Sequence, residues 1–201
     1  MNKNRLEAFS DGVFAIILTI MVLELKVPQA GDPLAYTHLA NQLGSYALSY
    51  AYVAIYWVNH HHTFHAVQRV NGKLLWYNNL LLFFLSLFPF CTAWVGSSHF
   101  AGLPVLVYGV ALLAAALAYT FLVHGLIGLH GPGSLLAQAV GDDRKGKLST
   151  ALYLLGIATA LYWPYFAYAC YVVTALIWIA PDPRIEKRLL ENEKKASKPS
   201  K

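Results

Sequence analysis

Long apolar segments dominate this sequence and restrict what it can fold into. The longest runs from Leu148 to Ala180 and contains no charged residue. Hydrophobic residues make up 57% of the chain and charged residues only 12%, whereas an ordinary soluble domain has about 25% charged residues. Because the apolar residues come in blocks long enough to cross a bilayer, the sequence predicts an all-α integral membrane protein.

Proline and glycine residues divide the apolar blocks into helices. A single helix over residues 148–180 would be about 50 Å long, against a hydrocarbon core of roughly 30 Å. Two short helices fit better, with the second beginning at Pro164, where a missing backbone donor costs nothing. Pro89 lies inside the third block and predicts a kink there. The sequence thus predicts one transmembrane domain over residues 1–181 with six helices, at about 6–27, 37–66, 74–95, 104–126, 148–162 and 164–180.

The basic residues support this number of helices and set an orientation. With the N-terminus in the cytoplasm and six helices, every lysine and arginine except Lys26 falls in a cytoplasmic segment. Five helices would put the basic residues from Arg184 onward outside, against the positive-inside tendency. The sequence therefore predicts a multi-pass protein of the cell membrane with both termini cytoplasmic and a basic tail at 182–201. The net charge of +5 reflects this orientation and does not indicate a nucleic-acid partner.

The first helix, RLEAFSDGVFAIILTIMVLELK (Arg5–Lys26), has two different faces. Asp11 lies about 140° around the helix from Ile16, on a face expected to turn toward neighbouring helices. An ionisable residue in such a helix is by default a functional-site hypothesis. The other face, a sector of roughly 100°, is by spacing alone typical of a lipid-facing or packing surface. Its members are Gly12, Ile16, Thr19, Ile20 and Leu23.

A run of histidines follows in the second helix and allows two interpretations. His60, His61, His62 and His65 lie within two turns, in the segment WVNHHHTFH. One interpretation is part of a metal-binding box, although such sites need several boxes and the other histidines are isolated. The other is that these rings are hydrogen-bonding partners for Ser10, Asp11 or Asn78, because buried polar groups in a membrane must be paired. The second interpretation predicts no metal or other cofactor.

Three motifs resemble one known family. RLEAFSDGVFAIILTIMVLEL (5–25) is similar to the first-helix signature of the transmembrane protein 175 family, the prokaryotic relatives of the endosomal and lysosomal potassium channel. YWVNHHHTF (56–64) resembles its second-helix motif and LWYNNLLLFFLSLFPFCT (75–92) its third. These motifs cover the first half of the chain, and the second half agrees only in hydropathy. The single-repeat bacterial members of this family have six helices.

The resemblance implies a homotetramer in the bilayer with helix 1 of each subunit lining a central pore for K⁺. It places the pore constriction, or gate, at Ile16, Ile20 and Leu23, and a hydroxyl layer for ion selectivity at Thr19. It implies no enzymatic activity and no cofactor. It also implies a polar network that holds helix 1, made of Arg5, Ser10, Asp11, one of His60, His61 and His62, and either Asn78 or Asn79.

The resemblance therefore implies a leak-type cation channel with modest selectivity for K⁺. Modest selectivity is expected because few fixed oxygens would surround the ion. Proton conduction is the alternative within transport, since histidines near Asp11 suit proton transfer. The alternatives from other classes are a membrane metalloenzyme that uses His60–His65 and a scaffold that transports nothing.

Overall fold

The computed structural model describes residues 3–28, 31 and 33–179. All regular secondary structure in this part of the chain is helical. The basic tail predicted at 182–201 lies outside the described residues. Eight helices occur within the described ranges: α1 (Asn4–Leu23), α2 (Ala35–His65), α3 (Gly72–Ser86), α4 (Phe88–Ser97), α5 (Gly102–His130), α6 (Leu135–Val140), α7 (Arg144–Thr159) and α8 (Pro164–Ile179).

Three of the described helical segments are long and apolar enough to cross a membrane. They are α1, the continuous stretch Gly72–Ser97 formed by α3 and α4, and α5. Helix α8 is apolar but shorter. Helix α2 is the longest of the described helices, with 31 residues, and its Tyr, His and Asn side chains make it more polar than these three segments. The chain is therefore an all-α membrane protein.

The third predicted helix is two helices in the structure. The sequence predicts a kinked helix over 74–95, whereas α3 ends at Ser86 and α4 begins at Phe88. Pro89 lies in the first turn of α4, where it cannot donate a hydrogen bond to the carbonyl of Leu85 and its ring crowds that turn. Leu87 keeps helical backbone dihedrals between the two helices, so the regular helix is interrupted at this one residue, close to the predicted kink.

Helix ends differ from the predicted ends where polar groups satisfy the backbone. Helix α1 ends at Leu23, not Val27, and the backbone N–H of Lys26 donates to Gln42 Oε1 at 2.8 Å. Helix α7 begins at Arg144, a turn before the predicted residue 148, because Asp143 caps it by accepting from Gly146 N at 3.1 Å. The loop predicted between residues 128 and 147 contains the short helix α6.

Buried tyrosines fill the space between α2, α5, α7 and α8. Tyr52 Oη donates to the backbone oxygen of Tyr171 at 2.6 Å and joins α2 to α8. A Cβ atom on Gly109 or Gly156 would collide with the ring or hydroxyl of Tyr171, so these glycines let α5 and α7 approach it. Helix α8 begins at Pro164, where the sequence predicts the last helix to start.

The outer surface of the bundle is apolar, as a bilayer requires. Large hydrophobic side chains remain exposed on helices that are otherwise well packed, which marks a lipid or protein contact surface. Aromatic residues lie at both ends of the bundle, with Trp76 at one end and Tyr162, Trp163 and Tyr165 at the other. Tryptophan and tyrosine are enriched at membrane–water interfaces. Further exposed apolar residues are Phe83, Phe90, Leu103, Phe121, Leu154, Leu161 and Leu176.

Candidate functional site

Helix α1 is buried along one face and exposed along the other. The buried face repeats at helical spacing with Leu6, Ser10, Phe14, Ile17 and Met21. The exposed face carries the α1 stripe, defined as Gly12, Ile16, Thr19, Ile20 and Leu23, all of which are exposed in the subunit. Ile16 is 56% exposed and Leu23 77%. An apolar helix face is unfavourable in contact with bulk water. This stripe therefore faces lipid, another subunit or a pore.

Thr19 is the polar member of the α1 stripe. Its Oγ1 donates to the backbone oxygen of Ile16 at 2.9 Å. This bond uses the only hydrogen of the hydroxyl and leaves the oxygen lone pairs free to accept. Gly12 has no atom within 4 Å of the position of a Cβ, so the stripe is open at this level. The stripe thus presents apolar side chains above and below a single hydroxyl oxygen.

The buried face of α1 is joined to α2 and α3 by a chain of polar side chains. Asn78 Nδ2 donates to Ser10 Oγ at 2.9 Å, and Ser10 Oγ donates to the backbone oxygen of Leu6 at 2.9 Å. His60 Nε2 lies 2.8 Å from Asn78 Oδ1. Because Asn78 Oδ1 can only accept, Nε2 is the donor and carries a hydrogen. All three side chains are buried, so each satisfies groups that lipid cannot.

Asp11 belongs to a second, exposed group of contacts at the edge of α1. Its Oδ1 accepts from Trp57 Nε1 at 3.0 Å. The ring of His61 stacks on Trp57 with a centroid distance of 6.2 Å. His61 is exposed and lies outside the chain that links Ser10, Asn78 and His60. The structure therefore divides the expected polar network into a buried group that spans α1, α2 and α3 and an exposed group on α1 and α2.

Arg5 lies with neither group. It is exposed on α1, eighteen residues before Leu23, which is about five full turns of an α-helix. Arg5 therefore lies on the same side of α1 as the α1 stripe, at its N-terminal end. Its side chain makes no hydrogen bond to Ser10 or Asp11 among the described residues.

The histidine run spreads around α2 and does not converge. His60 is buried against Phe14 and Phe64, whereas His61 and His65 are exposed and face each other at 6.2 Å. Within residues 3–28, 31 and 33–179, no group of three or more His, Cys, Asp or Glu side chains comes close enough to hold a metal ion.

Trp57 is the contact residue that the sequence did not single out. It is located four residues before His61, so helical spacing alone places the two rings on one face of α2. A tryptophan N–H near a bilayer needs an acceptor, and Asp11 is the nearest acidic residue in the motif of the neighbouring helix. The pairing itself depends on the relative register of α1 and α2, which spacing within one helix does not give.

A helical bundle with an apolar outer surface and a first helix anchored on one face defines an integral membrane protein. Residues 5–89 match the family model described as endosomal/lysosomal potassium channel TMEM175. The chain is 50% identical over 192 residues to a potassium channel from Chryseobacterium sp., covering 96% of this chain and all of that protein. The chain belongs to the TMEM175 family, whose members are ion channels and not enzymes.

Two further comparisons give the range of this similarity. The structure matches the crystal structure of a lysosomal potassium-selective channel TMEM175 homolog from Chamaesiphon minutus with a TM-score of 0.73 and 29% identity, covering 90% of this chain and 97% of that one. The chain is also 32% identical over 116 residues to the endosomal/lysosomal proton channel TMEM175 of Rattus norvegicus, which is 52% of this chain and 23% of that protein.

Proposed function

We propose that four copies of this chain form a K⁺-conducting channel in the cell membrane, with α1 of each copy lining a central pore. The observation that carries this proposal is the one-sided anchoring of α1. Its buried face is fixed by the bond between Ser10 and Asn78, which leaves the α1 stripe directed away from the subunit. We take K⁺ as the conducted ion because relatives of this chain are potassium channels.

A groove beside the α1 stripe supports assembly through copies of this chain. The groove lies between α1 and α4, has a volume of about 400 Å³, and is lined by Ile16, Ile20, Phe90 and Ala93 among others. Close packing between membrane helices depends on van der Waals contacts, because lipid supplies no hydrophobic driving force. A neighbouring α1 fills this groove in the proposed tetramer. Closed rotational symmetry is the usual arrangement of such oligomers.

The proposed gate is an apolar constriction at Ile16, Ile20 and Leu23. Four copies of each side chain would surround a narrow passage that dries when it closes. Moving an ion of ammonium size from water into an apolar medium costs of order 20 kcal/mol, so an ion passes only when the constriction widens and fills with water. Conduction without a dedicated stimulus fits a leak-type channel.

The proposed selectivity comes from Thr19. Its hydroxyl hydrogen is held by the carbonyl of Ile16, so the oxygen remains available as an acceptor on the exposed face. Four such oxygens replace part of the hydration shell of a passing cation. K⁺ gives up its water more readily than Na⁺, and the few oxygens available make the preference for K⁺ modest.

The membrane orientation is part of the proposal. Both ends of the chain are placed in the cytoplasm, since this puts every basic residue except Lys26 on that side. Proton conduction is a second candidate, because one relative of this chain is named as a proton channel and the pair Asp11–Trp57 lies at the edge of the α1 stripe.

Purified protein in planar bilayers tests the proposal directly. With KCl on one side and NaCl on the other, the reversal potential reports the ratio of K⁺ to Na⁺ permeability, and a pH gradient under symmetric salt reports H⁺. Native mass spectrometry gives the subunit number, with four times 22.3 kDa expected. A reversal potential that follows H⁺ alone would replace the K⁺ proposal with the proton one. A mass of one subunit in a conducting preparation would contradict the pore between copies.

A further inference from the structure

A cavity separate from the α1 stripe opens between the two halves of the bundle. It has a volume of about 330 Å³ and lies between α2, α5, α6, α7 and the end of α8. This is within the size range of small-molecule sites in proteins, roughly 300–1,000 Å³. Along α2 its wall extends from Tyr52 to Thr63, which is about 16 Å of helix. The cavity is thus long, narrow and close in length to half a bilayer.

The wall of this cavity is mainly suited to an apolar occupant. Val123 and Leu136 are buried in it, and Ile55 lies half-buried. The threonine hydroxyls that line it already have partners inside the protein, because Thr120 Oγ1 donates to Ala116 O and Thr150 Oγ1 to Gly146 O, each at 2.9 Å. Asn59 and His124 also line the cavity, and each donates one hydrogen bond to its own helix backbone. The lining surface is nevertheless mostly apolar, which suits a hydrocarbon chain.

The mouth of the cavity is basic. Arg144 and Lys145, in the first turn of α7, line it. Lys145 Nζ lies 5.9 Å from the centre of the Trp178 ring, which keeps the ammonium at the rim. The carboxylate of Asp143 also lines the mouth, but it is directed onto the α7 backbone, where it accepts from Gly146 N. Arg144 is exposed beside Asp142, at 3.8 Å, and remains accessible from outside.

We propose that this cavity binds an anionic membrane lipid, with one acyl chain between α2, α5 and α7 and the headgroup at Arg144 and Lys145. An apolar channel that ends in two basic side chains matches an amphiphile with a negative head, and basic pockets between membrane helices are a known mode of headgroup recognition. The site does not depend on ion conduction. The lipid connects α2, which packs on α1, with α7 and α8 in the second half of the chain.

The test is a lipid titration of the purified full-length protein followed by native mass spectrometry. Phosphatidylglycerol and phosphatidylcholine with identical acyl chains are compared. Phosphatidylglycerol is expected to bind more tightly than phosphatidylcholine. The double variant R144Q/K145Q is expected to weaken the binding of phosphatidylglycerol about 30-fold, because each basic residue near a headgroup raises the affinity roughly fivefold and the two factors multiply. The matched control is Lys147→Gln, an exposed basic residue of α7 that does not line the cavity.

A second pair of variants tests the cavity itself. Ala116→Leu fills the wall of the cavity, whereas Ala114→Leu adds the same volume on α5 outside it. The former is expected to lose lipid binding at unchanged thermal stability in lipid-free detergent, and the latter to retain it. Binding that survives Ala116→Leu would overturn the proposal, since the headgroup alone would then hold the lipid at the surface.

Three further outcomes would also overturn it. Equal weakening by Lys147→Gln would show general surface attraction in place of a site. Inorganic phosphate that competes with phosphatidylglycerol and stabilises the protein equally would indicate a simple anion site. Phosphatidylcholine that binds as tightly as phosphatidylglycerol would remove the role of Arg144 and Lys145.

Discussion

Asn78 Nδ2 donates a 2.9 Å hydrogen bond to Ser10 Oγ and fixes which face of α1 turns into the bundle. Both side chains are buried. In lipid surroundings neither group has water as a replacement partner, so this bond and the buried apolar residues Phe14 and Ile17 together hold the rotation of α1. The direction of the α1 stripe on the opposite face follows from that rotation.

Replacing Ser10 with alanine should therefore destabilise the subunit. The change leaves Asn78 Nδ2 buried without an acceptor, which costs about 1–3 kcal/mol. Thermal unfolding of the purified protein in detergent measures the loss. The matched control is Ser86→Ala, because Ser86 Oγ bonds only to the carbonyl of Phe83 in its own helix and is exposed. Equal effects of the two changes would mean that the bond between α1 and α3 is not important.

Asp11 should matter for assembly more than for ion preference. Its carboxylate accepts from Trp57 at the exposed edge of α1, away from the side that carries Ile16. Asp11→Asn weakens this bond by removing the charge, so a smaller fraction of tetramer is expected in native mass spectrometry, with the reversal potential unchanged.

Trp57→Phe is the companion variant for this prediction. It removes the donor but keeps an aromatic ring beside His61, so it should lower the tetramer fraction in the same way. A stable Asp11→Asn tetramer with altered K⁺ over Na⁺ preference would instead place Asp11 in the ion pathway.

Ile16→Asn should raise conductance. An amide in the constriction holds water and lowers the free energy of the wet state, and a barrier lowered by about 1.4 kcal/mol increases a rate about tenfold. Single-channel recording measures the effect. Val22→Asn is the control, because Val22 is exposed on α1 but lies about 120° around the helix from Ile16. Unchanged currents in Ile16→Asn would exclude Ile16 from the pore wall.

Thr19→Ala should reduce the preference for K⁺ over Na⁺ and leave assembly intact. Alanine lacks the hydroxyl oxygen that the proposed selectivity requires, whereas Thr19→Ser keeps this oxygen and its bond to Ile16 O. The reversal potential under KCl against NaCl is expected to move toward zero for the alanine variant only. A preference that persists in Thr19→Ala would move selectivity elsewhere in the pore.

The sequence predicts features that lie within one helix better than those that join two. Spacing along α1 groups Ile16 with Thr19 and Leu23, and the structure exposes all three. The partner of Asp11 could not be derived in this way, because Trp57 meets it only through the register between α1 and α2. The interruption at Leu87, in contrast, follows from Pro89 itself, because the missing backbone donor lies within the same helical segment.

Tyr171 offers a test of packing in the second half of the bundle. Its hydroxyl is buried and has no hydrogen-bond partner among the described residues, so it carries a desolvation cost of about 1–3 kcal/mol. Tyr171→Phe removes that cost and should leave the unfolding temperature equal or higher. Tyr52→Phe is the opposite case, because it removes the 2.6 Å bond to Tyr171 O and should lower stability by about 1 kcal/mol. A loss of stability in Tyr171→Phe as large as that in Tyr52→Phe would mean that its hydroxyl is paired in the membrane, and that the contact of α8 with α5 and α7 depends on a polar partner.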